Sequence, residues 1–92
     1  MIGQFVIVRC RDAGVHCGEL VISAGRAVEL KEARRIHYWS GANTLNEVAI
    51  RGPAKRSRIS EPVASILLLD ACEVIPCTDK AKKNLSESRW ES

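Results

Sequence analysis

The segment AVELKEARRIHYWSGANTLNEVAIRG, residues 27–52, changes its periodicity half-way along. In its first half Val28 and Leu30 share one side of an extended chain. Ile36 and Tyr38 continue that parity unless a bulge intervenes, and Glu32 with Ala33 is where a bulge is expected. Ser40, Gly41, Ala42 and Asn43 are turn residues. The run Thr44, Leu45, Asn46, Glu47 then has the pattern of a capping box. The threonine hydroxyl accepts from an orphan amide of the first turn, and the glutamate reaches back to an amide before it. Leu45, Val48 and Ala49 make an apolar stripe, and Gly52 followed by Pro53 stops the helix. A long strand over 27–39 that hands over to a short helix places the chain in the α+β class.

The flanks fit that class. QFVIVRC at 4–10 is short and β-branched, and predicts a strand buried on both faces up to Val8. RDAG at 11–14 reads as a turn. Residues 15–23 predict a second strand, with Gly18 marking a bulge or a close backbone approach. Ala24 and Gly25 form a tight turn in which Gly25 takes positive φ. After the helix, AKRSR at 54–58 reads as a basic, exposed loop. One strand is expected at 66–69 and another at 71–75, or a single strand bent near Asp70, and Pro76 marks an edge or the end of pairing. Thr78 caps a C-terminal helix that runs to about Leu85, with Asp79 favourable in its first turn. Residues 86–92 are polar and expected to fray, apart from docking of Trp90. The expected architecture is a single domain over 1–92. It is an antiparallel sheet of about four to six strands with two short helices, one between strands and one C-terminal.

A chain of 92 residues buries a modest fraction of its surface, and small domains gain stability from disulfides, metals or oligomerisation. Met1 to Cys10 lacks the pattern of a secretory signal, so the expectation is a reducing cytoplasm in which Cys10, Cys17, Cys72 and Cys77 stay thiols. Structural zinc favours cysteines two to four residues apart. Six residues separate Cys10 from Cys17 and four separate Cys72 from Cys77, and His16 and His37 do not complete a site. No metal and no cofactor are expected; the cysteines read as small buried apolar residues. Ile66, Leu67, Leu68 and Leu69 cannot all face one small core, so some are expected to face a partner chain in a homo-oligomer, a dimer or a trimer of dimers. No apolar run is long enough to span a bilayer. The net charge of +3 is milder than the footprint of a nucleic-acid binder. It suits a small anionic ligand or an acidic protein partner.

Catalytic signatures are not legible. The chain has no HExxH, no GxSxG and no phosphate-binding loop ending in Lys-Ser/Thr. His16 stands next to Cys17, but neighbours on a strand point apart. The expectation is a binding protein with no catalytic residues, not an enzyme.

Four stretches carry a family resemblance: KEARRIHYWSGANTLNE at 31–47, AGVHCGEL at 13–20, ISEP at 59–62 and EVIPCTDKAKKNL at 73–85. Together they resemble a family of small uncharacterised proteins encoded by bacteriophages and prophages. That family's pattern has a strand ending in A-R-R-I-x-x-W, then G-A-x-T-L opening a helix, then E-I-I-P-C-T. Position 37 is His here, where an aromatic is expected. The strand, helix, strand, helix plan also looks like the first-described type of Thoeris anti-defence proteins. That resemblance implies an oligomeric sponge in the cytoplasm of the bacterial host. Such a sponge sequesters a cyclic ADP-ribose isomer, or a cyclic oligonucleotide, without cleaving it.

Such a ligand calls for an aromatic or guanidinium plane against the base, arginine or backbone amides for the phosphates, and Asn or Thr groups for the ribose hydroxyls. The candidate ligand-binding residues are Arg34, Tyr38, Trp39, Asn43, Thr44 and Arg58. Each also has a plainer role. Tyr38 and Trp39 are packing aromatics in a chain that is 4% aromatic. Arg34 and Arg35 point to opposite faces of a regular strand, so only one enters a given pocket. Thr44 is a helix cap and Asn43 a turn residue. Arg51, Lys55, Arg56 and Arg58 form a solvated basic surface. The alternative function is a small inhibitor that binds a host protein or nucleic acid through that basic loop.

Overall fold

The computed structural model describes residues 1–88. Its elements are β1 (Phe5–Cys10), β2 (Val15–Ala24), β3 (Ala27–Tyr38), α1 (Leu45–Arg51), β4 (Arg58–Ile59), β5 (Val63–Leu68), β6 (Ala71–Pro76) and α2 (Asp79–Glu87). This is the α+β plan expected from the sequence: a six-stranded antiparallel sheet with one helix mid-chain and one C-terminal.

β1, β2 and β3 form a meander. Gly25 turns the β2–β3 hairpin at φ +59. Beyond β3 the edge is shared, with β5 paired to residues 28–33 and β4 to residues 36–38. β6 returns antiparallel to β1 at the opposite edge. Only Leu69 and Asp70 lie between β5 and β6, so the sheet curls until its two edges meet at one corner. The Ala71 amide donates to the Arg26 carbonyl at 3.0 Å there, and the Arg11 amide to the Asp70 carbonyl at 3.2 Å.

Both faces of the curled sheet are buried, against different things. Val6, Val8, Cys10, Leu20, Val28, Leu30, Ala33 and Leu68 fill the inside of the curl, with no helix contributing. Ile7, Cys17 and Ile36 lie on the other face beneath Leu45, Val48 and Ala49 of α1, Ile59 of β4 and Leu85 of α2. Residues that alternate along β1 therefore serve two cores, and Val6, Ile7 and Val8 are all fully buried. At ~1.5–3 kcal/mol for each large apolar side chain removed from water, these two layers are the main stabilising term.

A bulge in β3 makes the division possible. Cys17 pairs with Arg34 and Glu19 with Lys31, so β3 carries one residue more than β2 in this stretch. Glu32 takes φ 50 at that point. The expected parity is thereby broken: Ile36 faces the helices, not the layer of Val28 and Leu30. Gly18 sits opposite, where an added Cβ would meet the Lys31 carbonyl oxygen at 3.0 Å, which is the close approach its position suggested.

Three boundaries differ from expectation, the first being that of β5, which runs Val63–Leu68 where 66–69 was expected. Arg58 belongs to the short strand β4 and not to the loop, because buried Ile59 pulls that end against Ile36. The α2 helix extends two residues past Leu85 to Glu87, so residues 86 and 87 are helical and not frayed. Trp90 lies outside the described residues. Of the apolar run, Leu68 is buried and Ile66 packs inside the curl, whereas Leu67 and Leu69 are exposed. No helix of the described residues is long and apolar enough to cross a membrane.

Candidate functional site

The end of β3 and the short β4 place Tyr38 and Arg58 opposite each other. Ile59 is fully buried, and its neighbour Arg58 points outward. The Arg58 guanidinium lies over the Tyr38 ring at 5.9 Å from its centroid, a cation–π distance. Tyr38 is 51% exposed, so this aromatic is not a core residue. Trp39 is half-buried and packs against the layer under the helices.

The loop before β4 is pinned beside this pair. The Ser40 amide donates to Ser57 Oγ at 2.9 Å, the Ala54 amide to the Ser40 carbonyl at 2.8 Å, and the Ser57 amide to the Ala54 carbonyl at 3.1 Å. Ser57 is buried by these contacts, while Lys55 and Arg56 stay exposed. A half-exposed ring, a guanidinium over it and a short basic loop thus share one end of the molecule.

Asn43 and Thr44 sit at the start of α1 and are engaged in capping. The Glu47 amide donates to Thr44 Oγ1 at 3.4 Å, and Glu47 Oε2 accepts from the Asn43 amide at 2.9 Å. The capping box forms, with the glutamate reaching one residue further back than expected. Arg51 Nη2 donates to Glu47 Oε1 at 2.7 Å. That bond and the Asn43 amide hold the Glu47 carboxyl below the usual carboxylate range. An ionised carboxylate therefore already faces the first turn of this seven-residue helix, and the expected role of its amides for a ligand anion finds no room.

Arg34 is elsewhere. Its Nε donates to the Ser60 carbonyl at 2.7 Å, and Nη1 donates to the carbonyls of Leu85 at 2.8 Å and Ser86 at 3.0 Å. Nη2 donates to the Ser88 carbonyl. The buried guanidinium thereby caps the C-terminal end of α2, where helix carbonyls lack partners. Four residue steps along the strand, about 13 Å, separate it from Tyr38. Among the candidates the structure brings together Tyr38 and Arg58 with Trp39 next in the chain, puts Asn43 and Thr44 in the cap, and assigns Arg34 to α2. The adjacent Arg35 is the exposed member of the pair.

A broad groove of about 1760 Å³ was not foreseen from the sequence. It runs past Arg34, Arg35, Ser60, Glu61 and Ile66, and it includes none of Tyr38, Trp39, Asn43, Thr44 or Arg58. Glu19, Glu32, Glu61 and Glu87 line it against Arg34, Arg35 and Lys82, and Arg34 is already engaged with carbonyls. That balance does not favour an anion. Residues scattered over both β3 and the C-terminus build this groove, so no local motif announces it.

Of the four cysteines expected to be buried, Cys10 and Cys17 are, whereas Cys77 is half-buried and Cys72 is exposed, because the edge strand β6 is left partly uncovered. His16 is buried, its Nε2 is 2.8 Å from the Ala13 carbonyl oxygen, and burial lowers its pKa. His37 is exposed. Burial pushes the Cys17 and Cys77 thiols up to about 12, so neither is a thiolate at neutral pH. Among the described residues no group of three or more His, Cys, Asp or Glu is placed to hold a metal ion.

A family model described as "Domain of unknown function (DUF6948)" matches residues 3–85. That span is most of the chain, so the chain belongs to this family. No curated protein and no solved structure matches it.

Proposed function

We propose that this member of the DUF6948 family captures a small nucleotide-derived anion on the Tyr38–Arg58 surface and holds it without chemical change. The observation that carries this reading is the Arg58 guanidinium 5.9 Å over a half-exposed Tyr38 ring, beside the exposed Lys55 and Arg56. Such a pair offers a π face for a base together with a permanent positive charge and N–H donors for phosphate oxygens. Trp39, next in the chain, is half-buried and packs against the layer under the helices. Asn43, Thr44 and Arg34 act at one remove, by holding α1 and α2 in place.

The identity of the ligand follows the resemblance to proteins of bacteriophages and to the first-described Thoeris anti-defence type. In this reading the chain is a phage-encoded sponge, working as a homo-oligomer in the cytoplasm of the bacterial host. Its ligand is a cyclic ADP-ribose isomer or a related cyclic nucleotide. The exposed basic loop also supports a second reading, in which Lys55, Arg56 and Arg58 contact a host protein or nucleic acid.

The test is retention. Purified protein is incubated with cyclic ADP-ribose isomers and cyclic oligonucleotides, freed of unbound ligand and denatured, and the released material is analysed. Intact ligand is expected from the wild type and none from Tyr38→Ala or Arg58→Glu, with all three proteins folded. Chemically altered ligand would make the protein an enzyme. No retention by the wild type would overturn the sponge and move attention to a macromolecular partner, whose binding to the basic loop would weaken steeply with added salt if it is a nucleic acid.

A further inference from the structure

The cysteines divide between the two faces of the sheet. Cys10 belongs to the core inside the curl, and Cys17 and Cys77 to the layer under the helices. Alternation fixes Cys72. It lies two residues before Val74, which packs inside the curl and pairs with Val8, and Cys10 lies two residues after Val8. Cys10 and Cys72 are therefore on the same side of neighbouring strands.

The register brings them together. From Val6 with Pro76 to Arg9 with Glu73 the pairing of β1 and β6 is regular, and one more step would set Cys10 against Cys72. The register shifts there, and Cys10 pairs with Ala71. Ala71 and Cys72 thus share the place opposite Cys10, as two residues do across one in a bulge. Opposed residues of an antiparallel pair have Cα atoms about 4.5–5.5 Å apart, inside the ~4.4–6.8 Å that a disulfide spans. Charge agrees: burial raises the Cys10 thiol most, and the neighbouring Cys72 and Asp70 raise it further. Cys17 and Cys77 are placed differently. Cys17 pairs with Ile7 from one side of β1, and the Cys77 amide donates to the Phe5 carbonyl from the other, so a whole strand lies between them. Both thiols of the first pair are free, with Cys72 exposed and Cys10 only 5% exposed. An oxidant in water meets Cys72 first, with Cys10 beside it as the second thiol.

We propose that Cys10 and Cys72 are a redox pair, which hydrogen peroxide converts to a reversible disulfide within the chain. The Cys72 thiolate attacks one peroxide oxygen, the O–O bond breaks, and the other oxygen takes up a proton and leaves as water. Cys72 is then a sulfenic acid. The Cys10 sulfur attacks the Cys72 sulfur, the S–O bond breaks, and hydroxide leaves with the Cys10 proton as a second water. The two thiols give up two electrons and two protons, and the peroxide takes up both. Burial keeps Cys10 protonated until this second step, so it does not compete for the oxidant. The bond ties β1 to β6 at the corner where the sheet closes, next to the backbone bond from Arg11 to Asp70. A dithiol reverses it by exchange.

The inference stands apart from the ligand and from any oligomer. The reduced full chain is treated with hydrogen peroxide, denatured in an alkylating agent, digested and mapped by mass spectrometry. One bond within the chain, Cys10 to Cys72, is expected, with Cys17 and Cys77 alkylated, and dithiothreitol is expected to restore all four thiols. Cys72→Ser, at an exposed position, is expected to stay folded and to lose the Cys10 thiol at least about tenfold more slowly than the wild type. Loss of the Cys10 thiol at the same rate in this variant would overturn the pair. Cys72 carried to a sulfinic acid, or into a bond between two chains, while Cys10 stays free would overturn it as well. So would a wild type that keeps both thiols at a peroxide dose that oxidises glutathione.

Discussion

Replacing Arg34 by alanine is the perturbation whose cost the structure defines best. The nine-residue α2 helix is too short to be stable by itself and buries only Ala81 and Leu85. Its C-terminal carbonyls are held by the Arg34 guanidinium, which bonds those of Leu85, Ser86 and Ser88 together with that of Ser60 in the strand connection. The bond to Leu85 is buried. Leaving that carbonyl without a partner costs about 1–3 kcal/mol, while the other carbonyls regain water and lose about 0.5 kcal/mol each. The total is about 2.5–4.5 kcal/mol, against a global stability of about 5–10 kcal/mol for a domain of this size. The midpoint of thermal unfolding should fall by about 10–35 °C, measured by far-UV circular dichroism with urea titrations alongside. Arg34→Lys should recover only part of the loss, since an ammonium on a flexible stem does not span carbonyls the way a guanidinium fork does. The control is next door. Arg35 is exposed, and Arg35→Ala should change stability by no more than ~0.5 kcal/mol. Equal stability of the two alanine variants would refute the capping role.

Gly52 and His16 give two further expected outcomes. Gly52 ends α1 at φ 82, ψ 166, and a Cβ there would lie 2.5 Å from Asn84 Cγ, whose amide bonds the Pro53 carbonyl. Gly52→Ala should therefore destabilise by about 1–3 kcal/mol, read from the urea midpoint, and a neutral effect would show that α1 and α2 do not meet there. His16 is the pH-sensitive group of the core. Burial lowers its folded pKa, and Arg35 adds to the shift against the opposing bond to Ala13. Between that lowered value and the unfolded value of about 6.5, the unfolded chain binds more protons. His16's contribution is complete above about pH 6.5 and is lost as pH falls towards the folded pKa. The urea midpoint should drop on acidification in that window, and an NMR titration placing His16 at or above about 6.5 would contradict the assignment.

Much of the local order was legible because its causes are local. Thr44 and Glu47 signal a cap by their spacing, and both take part in it. Thr78 accepts from the Ala81 amide at 3.1 Å as the start of α2 requires. Glu32 and Ala33 marked the bulge, and its consequence for Ile36 follows from a period of two. The candidate site was legible only in part. Tyr38 and Arg58 are far apart in the chain and meet through β4, whose two residues are too few to carry a pattern. The sequence shows that Arg34 and Arg35 diverge, but the choice between them depends on where the far end of the chain packs.

The sequence by itself determined the kind of each element except β4, most of the caps and turns, and which residues are apolar enough to be buried. These depend on backbone geometry and side-chain spacing within a few residues. The tertiary structure decided the rest. It curled the sheet so that alternate residues of one strand feed two separate cores, brought Arg34 under the end of a helix about fifty residues away, and left β5 with an open edge. The physical reason is that long-range packing selects among faces that local periodicity leaves equivalent. A period of two says that neighbours point apart, and only the closed fold says which side meets a helix, a ligand or a second chain.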